Sequence, residues 1–363
     1  MAATYGFRAY IVEAFPNRFK DREPLAAQAN SMVRKRIAHL LEEAHLGSTR
    51  QFPPRPAKPG EPDNPTETLT VGDPADLHPG FIHVMVEAGV VGSHTNATKI
   101  GAAPQDLSDR SAEAAHIFSF FFSERKDTKF VVIAETINGR DPMRRLMTVL
   151  RTTDVERQKR LRERDKQERR DARAAGTPLP EPRERVRLAL RWYQASDDAY
   201  LAEILGSAKR VSAVFKSHKP SSRGGSDVID RTLTIALRDG QGSQIGGTFA
   251  RLWARRQRSG ETTARSEGVS ELAGVLEEQD LFYEDETGRY DDAALRVVSE
   301  SGARTTIAID TLRDVFTYPV HNGKPSARYF YSKVAERLPS ISREAGVRLR
   351  KLDESEVREW LAD

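Results

Sequence analysis

The densest run of apolar positions lies between residues 116 and 135, in HIFSFFFSERKDTKFVVIAE. On either side of the polar stretch Glu124 to Thr128, apolar side chains fill both alternating sets of positions, which predicts two strands joined by a turn. A strand that is apolar on both faces must be covered on both faces. We therefore expect a hairpin over 116–135 at the centre of a sheet.

The remaining pattern of the N-terminal half predicts strands and helices around this hairpin. Pro24 to His45 has an apolar stripe at helical spacing. Asp141 and Pro142 are typical of a helix start, and apolar residues follow at i, i+3, i+4 and i+7. Residues 53–80 contain eight of the nineteen prolines, which favours a loop. The predicted elements are strands at 4–14 and 80–92, the hairpin 116–135, and helices at 24–45 and from 142.

The second half is separated from the first by a charged run. Residues 154–173 contain nine basic and six acidic residues, which predicts a solvent-exposed helix or a short coiled-coil spacer ending in the Pro-rich segment 174–182. An α+β fold follows, with a domain at 1–152, a helical spacer and linker at 153–183, and an α+β domain at 184–363. Its predicted elements are strands at 187–193 (or a helix), 210–220, 230–239 and 304–310, a hairpin near 283–291, and helices at 197–205, 247–258, 328–338 and 354–361.

Composition narrows the setting of the protein. The chain has 363 residues, 30% of them charged, with a mean hydropathy of -0.59 and no cysteine. The absence of cysteine excludes disulfides, zinc–thiolate sites and thiol catalysis. No apolar run is long enough to span a membrane, and the first residues lack a signal-peptide pattern. We expect a cytoplasmic protein without direct membrane insertion.

Charge is distributed unevenly, although the formal net charge is only +4. Residues 209–258 contain eleven Lys or Arg against three Asp, whereas residues 259–300 contain twelve Asp or Glu against three Arg. Adjacent blocks of opposite sign indicate a polyanion-binding surface beside an acidic segment. The alternative is that both blocks are solvated faces that neutralise each other.

The basic block supplies the candidate binding residues. In TFARLWARRQR, Arg251, Arg255 and Arg258 recur at i, i+4 and i+7 beside an apolar stripe. Cations gathered on neighbouring elements neutralise phosphates and release counterions, which favours sequence-tolerant binding to a nucleic-acid backbone. Charge alone does not separate DNA from RNA; duplex DNA is the partner that we expect ahead of RNA. An Arg-rich solvated helix is the simpler alternative. The predicted nucleic-acid-binding residues are Lys209, Arg210, Lys216, Lys219, Arg223, Arg251, Arg255, Arg256 and Arg258.

Motifs for catalysis and for metal binding are weak. The eight histidines form no HxH, HExxH or helical HxxxH pair, and His83 and His116 on predicted strands are most simply structural. No P-loop or GxSxG motif occurs, and GQGSQIGG is either a phosphate-binding loop or a plain turn. We predict no catalytic residue, metal or cofactor. A metal-dependent nuclease using Glu135, Asp227 and Asp230 is the enzymatic alternative.

Residues 118–150, with the hairpin, the ETINGRDP segment and the Pro-started helix, resemble a module of bacterial phage-defence and abortive-infection proteins, such as Kiwa component B and the Rex exclusion protein A of lambdoid prophages. Residues 294–319 and 327–338 are similar to the way such chains end. The resemblance implies a bacterial cytoplasmic protein that binds DNA and helps to abort phage infection. A membrane-protein or phage-protein partner is a separate expectation. The charged spacer and the Pro-rich segment depart from this pattern.

The hypothesis from the sequence is a non-catalytic, DNA-binding antiphage protein. The acidic block would then shield the basic surface or pair with a neighbouring subunit. Two alternatives stay open, the nuclease and a homodimeric scaffold held together by the spacer and the oppositely charged blocks.

Overall fold

Two compact units make up the chain, Met1–Trp192 together with Pro319–Asp363, and Tyr193–Tyr318. The computed structural model describes residues 3–16, 29–47, 49–52, 65–77, 81–91, 96–97, 105–106, 111–123, 128–178, 188–195, 197–219, 228–237, 245, 265–278, 281, 290–298, 304–308 and 316–352. Within these residues, helices and antiparallel sheets coexist, which confirms the α+β class.

The regular elements are numbered in chain order. The strands are β1 (Thr4–Pro16), β2 (Arg50–Phe52), β3 (Glu67–Val71), β4 (Ala75–Leu77), β5 (Phe81–Val91), β6 (Asn96–Ala97), β7 (Gln105–Asp106), β8 (Ser111–Phe122), β9 (Lys129–Ile137), β10 (Leu188–Gln194), β11 (Arg210–Lys219), β12 (Val228–Ala236), β13 (Asp292–Val298), β14 (Arg304–Ala308) and β15 (Tyr318–Asn322). The helices are α1 (Ala29–His45), α2 (Met143–Ala174), α3 (Asp198–Gly206), α4 (Arg265–Glu277) and α5 (Ala327–Ala345).

The first unit is built on a nine-stranded sheet in the order β10-β1-β9-β8-β5-β3-β2, with β15 paired to β1 and β4 paired to β5. The predicted hairpin is confirmed, since β8 pairs antiparallel with β9 and both strands have neighbours on their outer sides. Its apolar side chains are buried on both faces, from Phe118 and Phe120 on one to Phe121 and Ile133 on the other. The hairpin is therefore the centre of this sheet.

Helices cover both faces of the nine-stranded sheet. Helices α1 and α2 pack on the face of Phe118, Phe120 and Phe130, and their apolar stripes join one core with these side chains. Helix α5 covers the opposite face, where the Phe330 ring meets that of Phe7 edge-on at 6.0 Å between centroids. The unit thus has three layers, with the hairpin in the middle one.

The second unit contains a four-stranded antiparallel sheet in the order β12-β11-β13-β14. Helix α4 packs against β13 and buries Val269, Leu272 and Leu276. Helix α3 is capped by Asp197, whose Oδ1 accepts the Tyr200 N–H at 3.1 Å and whose Oδ2 accepts the Tyr318 hydroxyl at 3.0 Å.

Several local predictions need correction. The predicted loop over 53–80 is wrong for residues 67–77, where β3 and β4 pair with β5. Helix α2 begins one residue later than predicted, because Pro142 is the N-cap and Asp141 accepts the Met143 N–H at 3.1 Å. The predicted helices at 247–258 and 354–361 lie outside the described residues.

The charged run is not a separate spacer. Residues 154–174 continue the helix that starts at Met143, which makes α2 a single helix of 32 residues. Its buried positions include polar residues of the run, namely Asp154, Gln158 and Asp165. The helical state was predicted correctly, whereas full solvation of the run was not.

The division of the chain also differs from the expected limits of 1–152, 153–183 and 184–363. Residues from Pro319 onward return to the first unit, because β15 pairs with β1 and α5 covers the open face of the same sheet. Among the described residues, no helix combines the length and apolarity that crossing a membrane requires.

Candidate nucleic-acid interface

The predicted cations that fall within the described residues lie on strand β11 or directly before it. Val211, Ala213 and Phe215 of this strand are buried on the face that carries the apolar side chains of β13 and β14. Because side chains alternate along a strand, Arg210 and Lys216 lie on the opposite face, about 20 Å apart along the strand, with the buried Ser212 and Val214 between them. Lys209 is exposed just before the strand, and Lys219 is exposed at its far end, beyond a bulge at Ser217/His218. The structure thus brings Arg210 and Lys216 onto one face of the sheet.

Two arginines that were not among the predicted residues share this face. Arg296 of β13 and Arg304 of β14 are exposed, and their register places them on the side of Arg210 and Lys216. Exposed hydroxyl side chains lie on the same face, namely Thr232 and Thr234 on β12 and Thr306 on β14. We call this surface the basic face, defined by Arg210, Lys216, Arg296 and Arg304.

The register gathers three of these cations closely. Arg210 and Arg304 both pair with Val298, and Arg296 lies two residues before Val298 on the strand between them. A diagonal neighbour on an adjacent antiparallel strand lies about 7–8 Å away, so Arg296 is that far from each of the other two arginines. Ser212 and Thr306 pair directly with Arg296 from its two sides. Three exposed arginines therefore start from neighbouring positions on one face of the sheet, with Ser212 and Thr306 beside Arg296.

Some of the predicted cations form ion pairs with carboxylates, and others do not. Lys219 Nζ lies 2.6 Å from Asp230 Oδ1, and this hydrogen bond lowers the pKa of Asp230. Asp292 pairs in register with Lys216, but no ion pair within 4 Å joins them. Arg210, Arg296 and Arg304 have no ion pair with a carboxylate in the part of the chain that the structure describes. The charge of the arginine group on the basic face is therefore not neutralised by these residues.

Asp291 illustrates how the acidic block is engaged. Its Oδ1 lies 2.5 Å from His218 Nδ1, and its Oδ2 accepts the His218 backbone N–H at 2.9 Å. Burial alone would raise the pKa of Asp291, but the hydrogen bonds from His218 together lower it. This acid thus pairs with the end of β11 rather than with the arginines of the basic face.

The other predicted binding residues, Arg223, Arg251, Arg255, Arg256 and Arg258, lie outside the described residues, and their predicted role stays a prediction. Counting the net charge of sequence blocks does not identify Arg296, because this residue lies inside the acidic block 259–300. The alternation of Leu295, Arg296 and Val297 was the signal that identifies it as the outward residue of a strand.

The candidate acids and histidines for metal chemistry are not assembled. His83 and His116 lie on neighbouring strands, but the β5–β8 register pairs His83 with Ser119 and His116 with Val86, which places the two rings on opposite faces. The Glu135 Oε2 accepts the Ile117 N–H at 2.9 Å, and burial raises the pKa of Glu135. No group of three His, Asp or Glu arranged for a metal ion occurs among the described residues, and Asp227 is not one of them.

Comparison of the chain with protein-family models, with curated proteins and with solved structures finds no match. The function of the protein must therefore be inferred from the chemistry of the site itself.

Proposed function

We propose that this protein binds duplex DNA through phosphate contacts, without strong sequence readout and without catalysis. The observation that supports the proposal most directly is the group of exposed arginines Arg210, Arg296 and Arg304 on one face of the four-stranded sheet. Each guanidinium presents a planar set of donors that matches phosphate oxygens, and clustered cations gain affinity by releasing counterions from DNA.

Weak sequence readout follows from the shape of this surface. Base edges in the major groove are contacted by a helix or by a narrow two-stranded ribbon that enters the groove. The cations of the basic face instead project from three adjacent strands of a four-stranded sheet. Such a surface suits contacts with the sugar-phosphate backbone, which position a protein on DNA but do not specify a base sequence.

The proposal includes a bacterial cytoplasmic setting and a part in phage defence. Support for this part comes from the resemblance of residues 118–150 to phage-defence proteins. A membrane-protein or phage-protein partner and a homodimeric state belong to the same proposal.

The basic face is tested by the double substitution Arg296→Gln and Arg304→Gln. Each lost phosphate contact removes close to one unit from the slope of log K against log salt, so we expect the slope to fall by roughly 2 and the affinity at 0.1 M salt to fall by at least about tenfold. Fluorescence anisotropy with a random-sequence 30-bp duplex, over a salt series, measures both quantities.

The matched control replaces Arg231 and Lys333 by Gln, with the same change in charge. Arg231 lies 3.9 Å from Asp230 and Lys333 lies 2.7 Å from Glu336, so their removal should affect binding by less than about threefold. Equal affinities of the Arg296/Arg304 variant and the wild type would show that the basic face is not the interface. A wild-type protein that fails to bind duplex DNA at low salt would overturn the proposed function itself.

A further inference from the structure

Helix α2 carries a second row of cations, on the side directed away from the core. The row repeats at intervals of three, four, seven and eight residues, and every member is exposed. We call it the α2 stripe; it comprises Arg144, Arg151, Lys159, Arg162, Lys166, Arg169, Arg170 and Arg173.

The geometry of the helix aligns these residues. At 100° per residue, the eight positions fall within a sector of about 100°, on the side opposite Leu146, Leu150 and Thr153, which are buried. No acidic residue of α2 lies inside that sector. From Arg144 to Arg173 the stripe is about 44 Å long, with one cation for each turn of the helix on average.

Three acidic side chains of α2 form ion pairs with arginines outside the stripe. Glu156 pairs with Arg50 at 2.9 Å, Glu168 pairs with Arg164 at 2.9 Å, and Asp154 pairs with Arg36. Lys166 forms the one ion pair of the stripe within the described residues, a 3.4 Å contact with Glu163. Seven cations of the stripe therefore have no carboxylate partner in the part of the chain that the structure describes.

Helix stability accounts for the stripe only in part, since Lys159 and Lys166 have Glu163 at i+4 and i−3. Like charges at i, i+3 and i+4, such as Arg162 with Lys166 and Arg169 with Arg173, repel each other and destabilise a helix. A ligand with regularly spaced negative charges along tens of ångströms relieves this repulsion and fits the length of the stripe.

The chemistry of the stripe also limits the kind of partner. Val155, which is 39% exposed, is the single large apolar side chain in the same sector of α2 as the stripe, so this side of the helix has no apolar seam for a coiled-coil partner. The apolar side of α2 is buried against the sheet, so it is not available for insertion into a membrane surface. The stripe contains no aromatic side chain, which is the group that stacks the bases of single strands. A duplex, which exposes mainly its phosphates, is the partner that remains.

We propose that the α2 stripe is a second surface for duplex nucleic acid, on the first unit of the protein. The proposal deepens the proposed function and rests on it for the class of ligand. Duplex phosphates contact the exposed cations of α2, and the number of phosphates neutralised adds to the salt dependence of binding.

The test is the triple substitution Arg151→Gln, Arg162→Gln and Arg169→Gln in the full chain. Glutamine has nearly the same helix propensity as arginine, so α2 should remain folded. With a random-sequence 30-bp duplex between 50 and 200 mM salt, we expect the slope of log K against log salt to fall by roughly 2–3 and the affinity at 0.1 M salt to fall by about tenfold or more.

A matched control lies on the same helix. The control is the triple substitution Arg157→Gln, Arg160→Gln and Arg164→Gln. It removes the same charge from the side of α2 that faces away from the stripe, where these cations pair with Glu43 and Glu168. Its binding should stay within about threefold of wild type, and circular dichroism should show equal helix content in both triple variants. If the stripe variant is less helical, the double substitution Arg162→Gln and Arg173→Gln replaces it, with an expected fall in slope of about 2.

The outcomes separate this inference from the proposed function. Loss of binding in the α2 triple variant supports the stripe, whatever the Arg296/Arg304 variant does. Unchanged binding in the α2 variant, with loss in the Arg296/Arg304 variant, overturns the stripe and leaves the basic face. Binding of wild type to single-stranded DNA or to anionic lipid vesicles, but not to the duplex, overturns the stripe as a duplex surface.

Discussion

At the scale of single residues, histidines and acids that the sequence offered for chemistry prove to complete the hydrogen bonding of the sheet. His83 Nδ1 lies 2.6 Å from the Tyr331 hydroxyl, which also lies 2.7 Å from the Ser119 hydroxyl. These contacts join α5 to β5 and β8. Burial lowers the pKa of His83 to about 4 and raises that of Tyr331, so both groups are neutral at pH 7. The structural role that the sequence favoured for His83 is the one that these contacts describe.

This arrangement predicts acid sensitivity. In the unfolded chain His83 takes up a proton below a pKa of about 6.5, whereas in the folded protein it stays neutral down to about pH 4. The stability supplied by neutral His83 is therefore complete above pH 6.5 and is lost as the pH falls toward 4. We expect a loss of about 3 kcal/mol from this residue, with a further loss of the same sign from His116, whose pKa burial also lowers.

Urea unfolding at pH 7 and pH 4.5 measures this loss. His83→Gln should show a smaller difference between the two pH values than the wild type. His39→Gln, at an exposed position of α1, is the control and should keep the wild-type difference. An equal pH dependence in the His83 variant would contradict the assignment.

At the scale of elements, α2 is one helix that contains both the apolar segment predicted to start near residue 142 and the charged run predicted as a separate spacer. Its first turns pack apolar residues on the sheet, and its later turns are charged, yet the helix is continuous through Asp154. Asp154 receives a hydrogen bond from Arg36 Nε at 3.0 Å and another from the Leu188 N–H at 3.2 Å, so one carboxylate connects α1, α2 and β10. Composition identified the helix, but these partners are 118 and 34 residues away and leave no local signal.

We expect Asp154→Ala to lower the free energy of unfolding by about 3–5 kcal/mol, because removing one partner of a buried ion pair leaves the other charge uncompensated. Urea unfolding at pH 7 measures the change. Glu168→Ala in the same helix breaks an exposed pair with Arg164 and should cost less than about 1 kcal/mol. Equal effects of the two substitutions would contradict the role of Asp154.

At the scale of the whole molecule, each unit presents its own group of cations, the basic face on the second unit and the α2 stripe on the first. The described residues of neither unit bring together a carboxylate cluster of the kind that holds catalytic metal ions. Binding of DNA and cleavage of DNA are therefore tested by separate measurements.

We expect supercoiled plasmid to be retarded by the protein in a gel without being shortened, in the presence of either Mg²⁺ or Mn²⁺. Cleavage requires acids that hold the metal and activate water, whereas retardation requires cations alone. Treating the sample with protease before electrophoresis should restore the mobility of free plasmid. Fragments that persist after protease, and that disappear with EDTA, would establish the nuclease alternative instead.

The sequence by itself determined the elements whose signal is local. The central hairpin, the apolar turns of α2, strands β11 and β12 and the α+β class follow from periodicity in neighbouring residues. Lys209, Arg210, Lys216 and Lys219 were identified as candidates from local charge alone. Tertiary structure decided what depends on partners far along the chain. Helix α5 returns to the first sheet from more than a hundred residues away, and Arg210 shares a face with Arg296 and Arg304. Strand register and burial decide both features, because they join residues that no local window contains.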